Sequence, residues 1–335
     1  MMATAINRLT GDTDWCSPTA FIVNGIGDHL IALPALRALA SLMQGRLRLL
    51  CIPNAQDIFF ADVPLATVHH IHQASAAPLN DHSYRDFAVT ELAAAIGDCD
   101  LFLCFQRHFS PSISALLRIL KPKKSIGLVP GFDVEIPFRR VPHASDLAFA
   151  IPLELAADLR IENFAAPPKL PDNALVLARK LRADLPGEAV VLAVHADTKP
   201  EKTWSSAKLA RVLGEFLERH RHVIAVVVGA EPFVDDIGPN RGRLLCCHGI
   251  PLPVAFAIIG VCDLFLGVDS CMLHVADLCG VPGVGLFGPT DPTEFGFRFA
   301  RHVHVKAATM NEISVAQVAE ALEVLWTSAF DPDEE

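Results

Sequence analysis

Long apolar runs are missing from this chain of 335 residues. No stretch approaches the roughly 18 to 20 apolar residues needed to span a bilayer. The densest run, VIAVVVGA (223–230), has the length of a strand. The N-terminus, MMATAINRLTGDTDWCSP, has no basic segment leading into an apolar one, so no secretory leader is expected. The nine cysteines include no C-x-x-C pair with zinc-ligand spacing. Most lie in apolar runs such as LRLLCIP and LFLCF, which reads as reduced, buried thiols rather than disulfides or metal ligands. An excess of positive charge is also lacking. The net charge is −10, divided as −1 over residues 1–150 and −9 over the remainder, which argues against a nucleic-acid partner. The expectation is a soluble, cytoplasmic protein.

What is present is a repeated alternation of strand and helix. The length favours two domains of about 150 residues each. TAFIVN (19–24) reads as a buried strand running into GIGD (25–28). A helical pattern follows, with Leu30, Leu33, Leu36 and Leu39 on one face and Pro34 in its opening turns, where a missing N–H is tolerated. Strands are then expected at RLRLLCI, TVHHI, DLFLCF and KSIGLV, with helices near 55–60, 86–96 and 111–120. Asn163–Asn173 holds three prolines in eleven residues and reads as a linker. Beyond it a helix (174–183) precedes strands AVVLAVHA, VIAVVVGA, RLLCCH, DLFLGV and GVGLF, interleaved with helices at 205–219, 252–260 and 271–279. A last helix, 313–326, is expected to pack across both halves. Parallel sheets with right-handed crossovers follow, giving an α/β chain of two Rossmann-like domains, 1–165 and 166–335, whose sheets face a cleft.

Polar residues cluster where such sheets bind ligands, at strand C-termini and helix starts. Gly267–Pro292 (GVDSCMLHVADLCGVPGVGLFGPTDP) reads as strand, polar turn, helix, strand and exit loop. Its turn offers free N–H groups and a positive dipole end to a phosphate, so a nucleotide diphosphate-sugar is expected there. Ser270 and His274 are four apart and share a helix face beside Asp269. In VHADTKPEKTWSS, Thr198 and Lys202 suit diphosphate oxygens, or belong to a plain surface loop. Glu231 in VVVGAEP suits ribose hydroxyls, or serves as an acid at a helix start. Asp28 reads as a general base for an acceptor hydroxyl or as a helix cap. Lys121, Lys123, Lys124, Arg139 and Arg140 form a modest basic set that faces an anionic acceptor or solvent. GIGD is not the dinucleotide fingerprint G-x-G-x-x-G, since position 30 is Leu.

NGIGDHLIALPALRAL resembles the N-terminal signature of glycosyltransferase family 9, the ADP-heptose:lipopolysaccharide heptosyltransferases. HADTKPEKTW, GAEP and GVDSCMLHVADLCGVPGVGLFGPTDP resemble its donor-site motifs, in the same order, so the resemblance spans roughly residues 19 to 300. It implies a GT-B fold, with an N-terminal acceptor domain and a C-terminal nucleotide-sugar domain. It also implies inverting transfer without metal or cofactor, from ADP-heptose to a glycan such as lipopolysaccharide core. Asp28 would then be the base, Thr198 and Lys202 would hold the phosphates, and Glu231 the ribose. Asp269, Ser270 and His274 would grip sugar and diphosphate. The setting implied is cytoplasmic, at the inner face of the inner membrane, with at most peripheral membrane contact.

Three positions depart from the family pattern. Cys271 stands where glycine is usual, and its side chain limits how closely the backbone approaches a phosphate. Asp197 puts a carboxylate in the phosphate loop, where it would repel diphosphate or bind sugar hydroxyls. His29 follows the base where an aliphatic residue is common, and either tunes Asp28 or fills space. Two other readings stay open on the same scaffold: a nucleotide-sugar epimerase or hydrolase, and a non-catalytic binding protein.

Overall fold

The computed structural model describes residues 14–53, 55, 58, 60–71, 88–137, 142–233 and 235–330. Half of the helix expected near 55–60 falls outside these, as do the start of the helix expected at 86 and both Arg139 and Arg140. The chain divides into compact units, Met1–Ala165 and Ala166–Glu335, with the division inside the proline-rich Asn163–Asn173.

In the first unit, β1 (Pro18–Ile22), β2 (Arg48–Cys51), β3 (Thr67–His70), β4 (Leu101–Cys104), β5 (Lys124–Gly127) and β6 (Val134–Glu135) form one parallel sheet. Its strand order is β3-β2-β1-β4-β5-β6. Helices α1 (Ile26–Leu42), α2 (Val89–Ile96), α3 (Pro111–Leu120) and α4 (Ala144–Leu153) connect or follow the strands. β1 and β4 are buried along their whole length, as their unbroken apolar runs require in a sheet covered on both faces. Phe21, Phe102, Ile113 and Leu116 belong to the core on one face. α1 presents Leu30, Leu33, Leu36 and Leu39 to the interior, all at 0% exposure.

The second unit repeats the plan. It holds β7 (Val190–His195), β8 (Val223–Gly229), β9 (Leu244–His248), β10 (Leu264–Val268), β11 (Gly283–Phe287) and β12 (His302–Lys306). These also pair in parallel, in the order β12-β11-β10-β7-β8-β9. Read from the first strand of each unit, the two orders are identical and match the doubly wound dinucleotide-binding topology. The helices are α5 (Asp172–Ala183), α6 (Ser206–Arg219), α7 (Leu252–Ile259), α8 (Cys271–Leu278), α9 (Pro292–Phe295) and α10 (Val315–Phe330). α10 packs on α6, β11 and β12 of its own unit, with Trp326 edge-on to Phe216. The architecture is α/β and GT-B-like, two sheets of parallel strands clothed by helices.

Three features differ from the sequence expectation. Helix α1 begins at Ile26, inside GIGD itself, so Pro34 sits in its interior and not in its opening turns. The glycine at 25 supplies the turn, and nothing delays the helix beyond it. Strands β6 and β12 were not expected, because VE is too short to show a pattern and HVHVK alternates polar and apolar residues as an edge strand does. Helix α4 was also unexpected. Its N-cap is His143, whose Nδ1 accepts from the Ser145 N–H at 3.1 Å, and histidine is not a usual cap signal.

All nine cysteines are free thiols. Burial pushes Cys51, Cys104, Cys262 and Cys279 up to about 12, so each stays protonated at neutral pH.

Candidate functional site

In the second sheet the strand order reverses between β7 and β10, and ligands of open α/β sheets bind beyond the carboxyl ends at such a point. Gly267 on β10 has no room for a side chain: a Cβ there would come 2.4 Å from the Phe265 ring and 2.9 Å from the His195 carbonyl oxygen. Past β7 the chain makes a loop and a single 3-10 turn, Pro200–Lys202. Trp204 anchors this segment. It is 1% exposed, its N–H donates to the Ala196 carbonyl at 3.1 Å and its indole Nε1–H to the Ile313 carbonyl at 3.3 Å. Thr203 Oγ1 accepts from the Thr198 N–H at 3.1 Å and closes the loop. Thr198 itself is exposed.

So anchored, Lys202 reaches across to the strand beside it. Its Nζ donates to Asp269 Oδ2 at 2.6 Å, with the lysine side chain 25% exposed and the aspartate 6%. The pair places a partly accessible ammonium over a buried carboxylate. One of the three N–H bonds of Lys202 is used there, and the others are available to a ligand anion.

Asp197 faces the other way. Its Oδ2 accepts from the N–H groups of Ala230 and Glu231 at 2.9 and 3.4 Å, and its Oδ1 lies 3.4 Å from His195 Nδ1. A side chain at Gly229 would meet Asp197 Oδ2 at 2.9 Å. Asp197 thus ties the loop after β8, and with it the exposed Glu231, to the loop after β7. His195 Nδ1–H donates to the Val228 carbonyl oxygen at 2.8 Å, and burial lowers its pKa.

Beyond β10 the Asp269 N–H donates to the Leu286 carbonyl at 3.2 Å, and Ser270 is the extended N-cap residue of α8. A serine at this position usually accepts a helix N–H. Ser270 does not: its Oγ is buried and has no partner in the structure. A buried hydroxyl without a partner is costly, and one standing at a helix N-terminus fits a bound anion. Cys271 opens α8, half-buried, with its thiol raised to about 11 by burial and therefore neutral. His274 is buried one turn further along. Lys306 donates to the carbonyl oxygens of Gly288 and Thr290, holding the loop that follows β11.

Asp28 belongs to the first unit, at the end of β1. It is the third residue of α1, and its Oδ2 accepts from the Gly25 N–H at 3.1 Å. It caps from within the first turn and is not the N-cap residue itself, so a capping bond and a carboxylate at the strand's end occur in one side chain. His29 is fully buried, its Nδ1 2.8 Å from the Gly25 carbonyl oxygen and its ring against Phe60. Burial lowers it to about 4, so it carries no charge at neutral pH.

Two residues were missed by the sequence reading. Arg107, three residues past the end of β4, is half-buried and interacts electrostatically with Asp28. Asp277, buried near the end of α8, accepts from the backbone N–H groups of Arg298, Phe299 and Ala300 at 3.0, 2.7 and 2.8 Å. A lone Arg in a loop and an Asp late in a helix carry no local signal. Arg107 was findable only as the residue beyond the strand that neighbours β1.

Comparison with known proteins agrees with this fold. The model of the family described as glycosyltransferase family 9 (heptosyltransferase) matches residues 89–322. Lipooligosaccharide heptosyltransferase 2 of Campylobacter jejuni is 22% identical over 300 residues, covering 85% of this chain and 86% of that protein. A solved glycosyl transferase family 9 structure from Veillonella parvula superposes with a TM-score of 0.71 at 18% identity, covering 92% and 97% of the two chains. The E. coli heptosyltransferase WaaC, solved with ADP, superposes at 0.63 with 14% identity, covering 92% and 99%.

Proposed function

The chain belongs to glycosyltransferase family 9, the heptosyltransferases, and we propose that it transfers a heptose from ADP-heptose to a glycan acceptor such as lipopolysaccharide core, with inversion and without a metal. The observation that carries the reading is the switch point of the second sheet. There the Lys202–Asp269 pair, the unpartnered Ser270 hydroxyl and the N-terminus of α8 stand together. This is a cradle for a diphosphate. Lys202 and the helix dipole, roughly half a unit charge, meet the negative charge that grows on the departing diphosphate.

In this reading the first unit takes the acceptor and the second the donor. Asp28 removes the proton of the acceptor hydroxyl. The oxygen attacks the anomeric carbon, and the carbon–oxygen bond to the diphosphate breaks with its electron pair leaving on ADP. A single in-line displacement inverts the anomeric centre. Glu231, on the loop tied by Asp197, holds the ribose, and Thr198, Asp269 and His274 complete the donor contacts. Cys271 takes the place of a smaller residue beside the diphosphate and narrows the cradle. Among the described residues no helix is long and apolar enough to cross a membrane. In this reading the enzyme meets a lipid-borne acceptor by peripheral contact at the cytoplasmic face.

The test is product formation. Purified protein, ADP-heptose and a heptose-deficient lipopolysaccharide core should yield a product heavier by one heptose in the mass spectrum, with EDTA making no difference. Asp28→Ala should abolish transfer, while ADP-heptose still raises the melting temperature of the variant. Transfer near the wild-type rate in Asp28→Ala would remove Asp28 from the chemistry. Loss of activity in EDTA would remove the metal-free mechanism.

A further inference from the structure

We infer that Asp197 is a positioning residue for the donor's nucleoside: its carboxylate fixes the backbone of the loop after β8, and with it Glu231. The inference rests on Glu231 holding the ribose. The loop leaves β8 at Gly229, whose carbonyl accepts from the Gly249 N–H at 3.0 Å. It re-enters the core at Phe233, which is 8% exposed. Between these anchors Ala230 and Glu231 are exposed and belong to no helix or strand. Both of their N–H groups donate to a single acceptor, Asp197 Oδ2, at 2.9 and 3.4 Å. A carboxylate oxygen can take two such donors.

The acceptor is itself held in place. On one side of it the Ala196 carbonyl accepts from the Trp204 N–H at 3.1 Å, and on the other the Thr198 N–H donates to Thr203 Oγ1 at 3.1 Å. Gly229 lets the carboxylate close in, since a Cβ there would stand 2.9 Å from Oδ2. His195 Nδ1, 3.4 Å from Oδ1, gives its proton to the Val228 carbonyl oxygen. Burial keeps that imidazole neutral at pH 7, so it does not draw the carboxylate away. The functional consequence follows from magnitudes. Fixing the backbone of one residue costs about as much as a hydrogen bond to a charged group contributes. A Glu231 on a loose loop would therefore gain little from meeting the ribose. Asp197 orders the loop beforehand and reads the ribose at one remove, through Glu231.

The experiment measures Kd by calorimetry for ADP and for 2′,3′-dideoxy-ADP, in the full-length protein and in four variants. The wild type should bind ADP tighter by on the order of tenfold, the value of hydrogen bonds to a carboxylate. Asp197→Ala should lose most of that preference, through weaker binding of ADP and unchanged binding of the dideoxy analogue. Gly229→Ala should do the same, because its methyl displaces the carboxylate without removing its charge. Asp197→Asn keeps a carbonyl oxygen at the same place and should keep most of the preference. Both probes carry the same diphosphate, so a change of charge at 197 cancels in the ratio. General damage to the site weakens both alike. An unchanged ratio in Asp197→Ala, or an equal loss for both probes, overturns the inference while loss of the preference in Glu231→Ala upholds the ribose reading. A wild-type ratio in Glu231→Ala overturns the ribose reading, and this inference with it.

Discussion

At the scale of single residues, burial decides charge. His29 lies against Phe60 inside the first unit and is uncharged because desolvation lowers it from 6.5 to about 4. In the unfolded chain the same imidazole binds a proton below about 6.5. Between those values the unfolded state holds more protons than the folded one, so stability falls as pH drops from 6.5 toward 4. The slope from one such group is limited to about 1.4 kcal/mol per pH unit. His195 is shifted in the same direction and adds to the effect. The melting temperature should therefore decline over this range, and less steeply in His29→Gln than in the wild type. Parallel pH curves for the two proteins would show that His29 is not the group responsible.

At the scale of elements, α8 does two jobs with its two ends. Its N-terminus carries the unpartnered Ser270, and near its C-terminus Asp277 accepts three backbone N–H groups from 298–300. The buried carboxylate replaces the secondary structure that the 298–300 segment lacks, and so ties the approach to β12 to the helix whose N-cap is Ser270. Asp277→Ala leaves three N–H groups without an acceptor. The variant should lose on the order of 3 kcal/mol in urea unfolding, with Asp277→Asn losing less because one carbonyl acceptor remains. A loss below about 1 kcal/mol for the alanine variant would mean that water replaces the carboxylate without cost.

At the scale of the whole molecule, one topology is used twice. Each unit reverses its strand order between its first and fourth strands, and each places charged residues beyond the carboxyl ends there. In the second unit these are contributed by segments far apart in the chain, after β7, β8 and β10. Adding ADP should slow amide hydrogen exchange in 195–204, 229–231 and 269–274 together, because one ligand would order all three loops. Protection found elsewhere but not in these segments would move the nucleotide away from this switch point.

Much of this plan was legible from the chain alone. Unbroken apolar runs such as LFLC and VIAVVVG announce doubly covered parallel strands, and their alternation with helical patterns leaves few topologies. GVDSC carries its own turn and helix start, so the strand end, the N-cap at Ser270 and the helix after it could be placed from local pattern. Pro34 lies three residues deeper in its helix than the pattern after GIGD suggests, because a buried helix shows little contrast between its faces. HVHVK was passed over because an edge strand resembles a loop in composition. Which side chains touch was decided only by the tertiary structure. Lys202 and Asp269 are 67 residues apart and meet at 2.6 Å. Asp197, which by sequence would repel diphosphate or bind sugar hydroxyls, accepts through Oδ2 from the Ala230 and Glu231 N–H groups, 33 and 34 residues away. Local spacing fixes which element a residue sits on. The partner across a switch point depends on strand order, which no window of sequence contains.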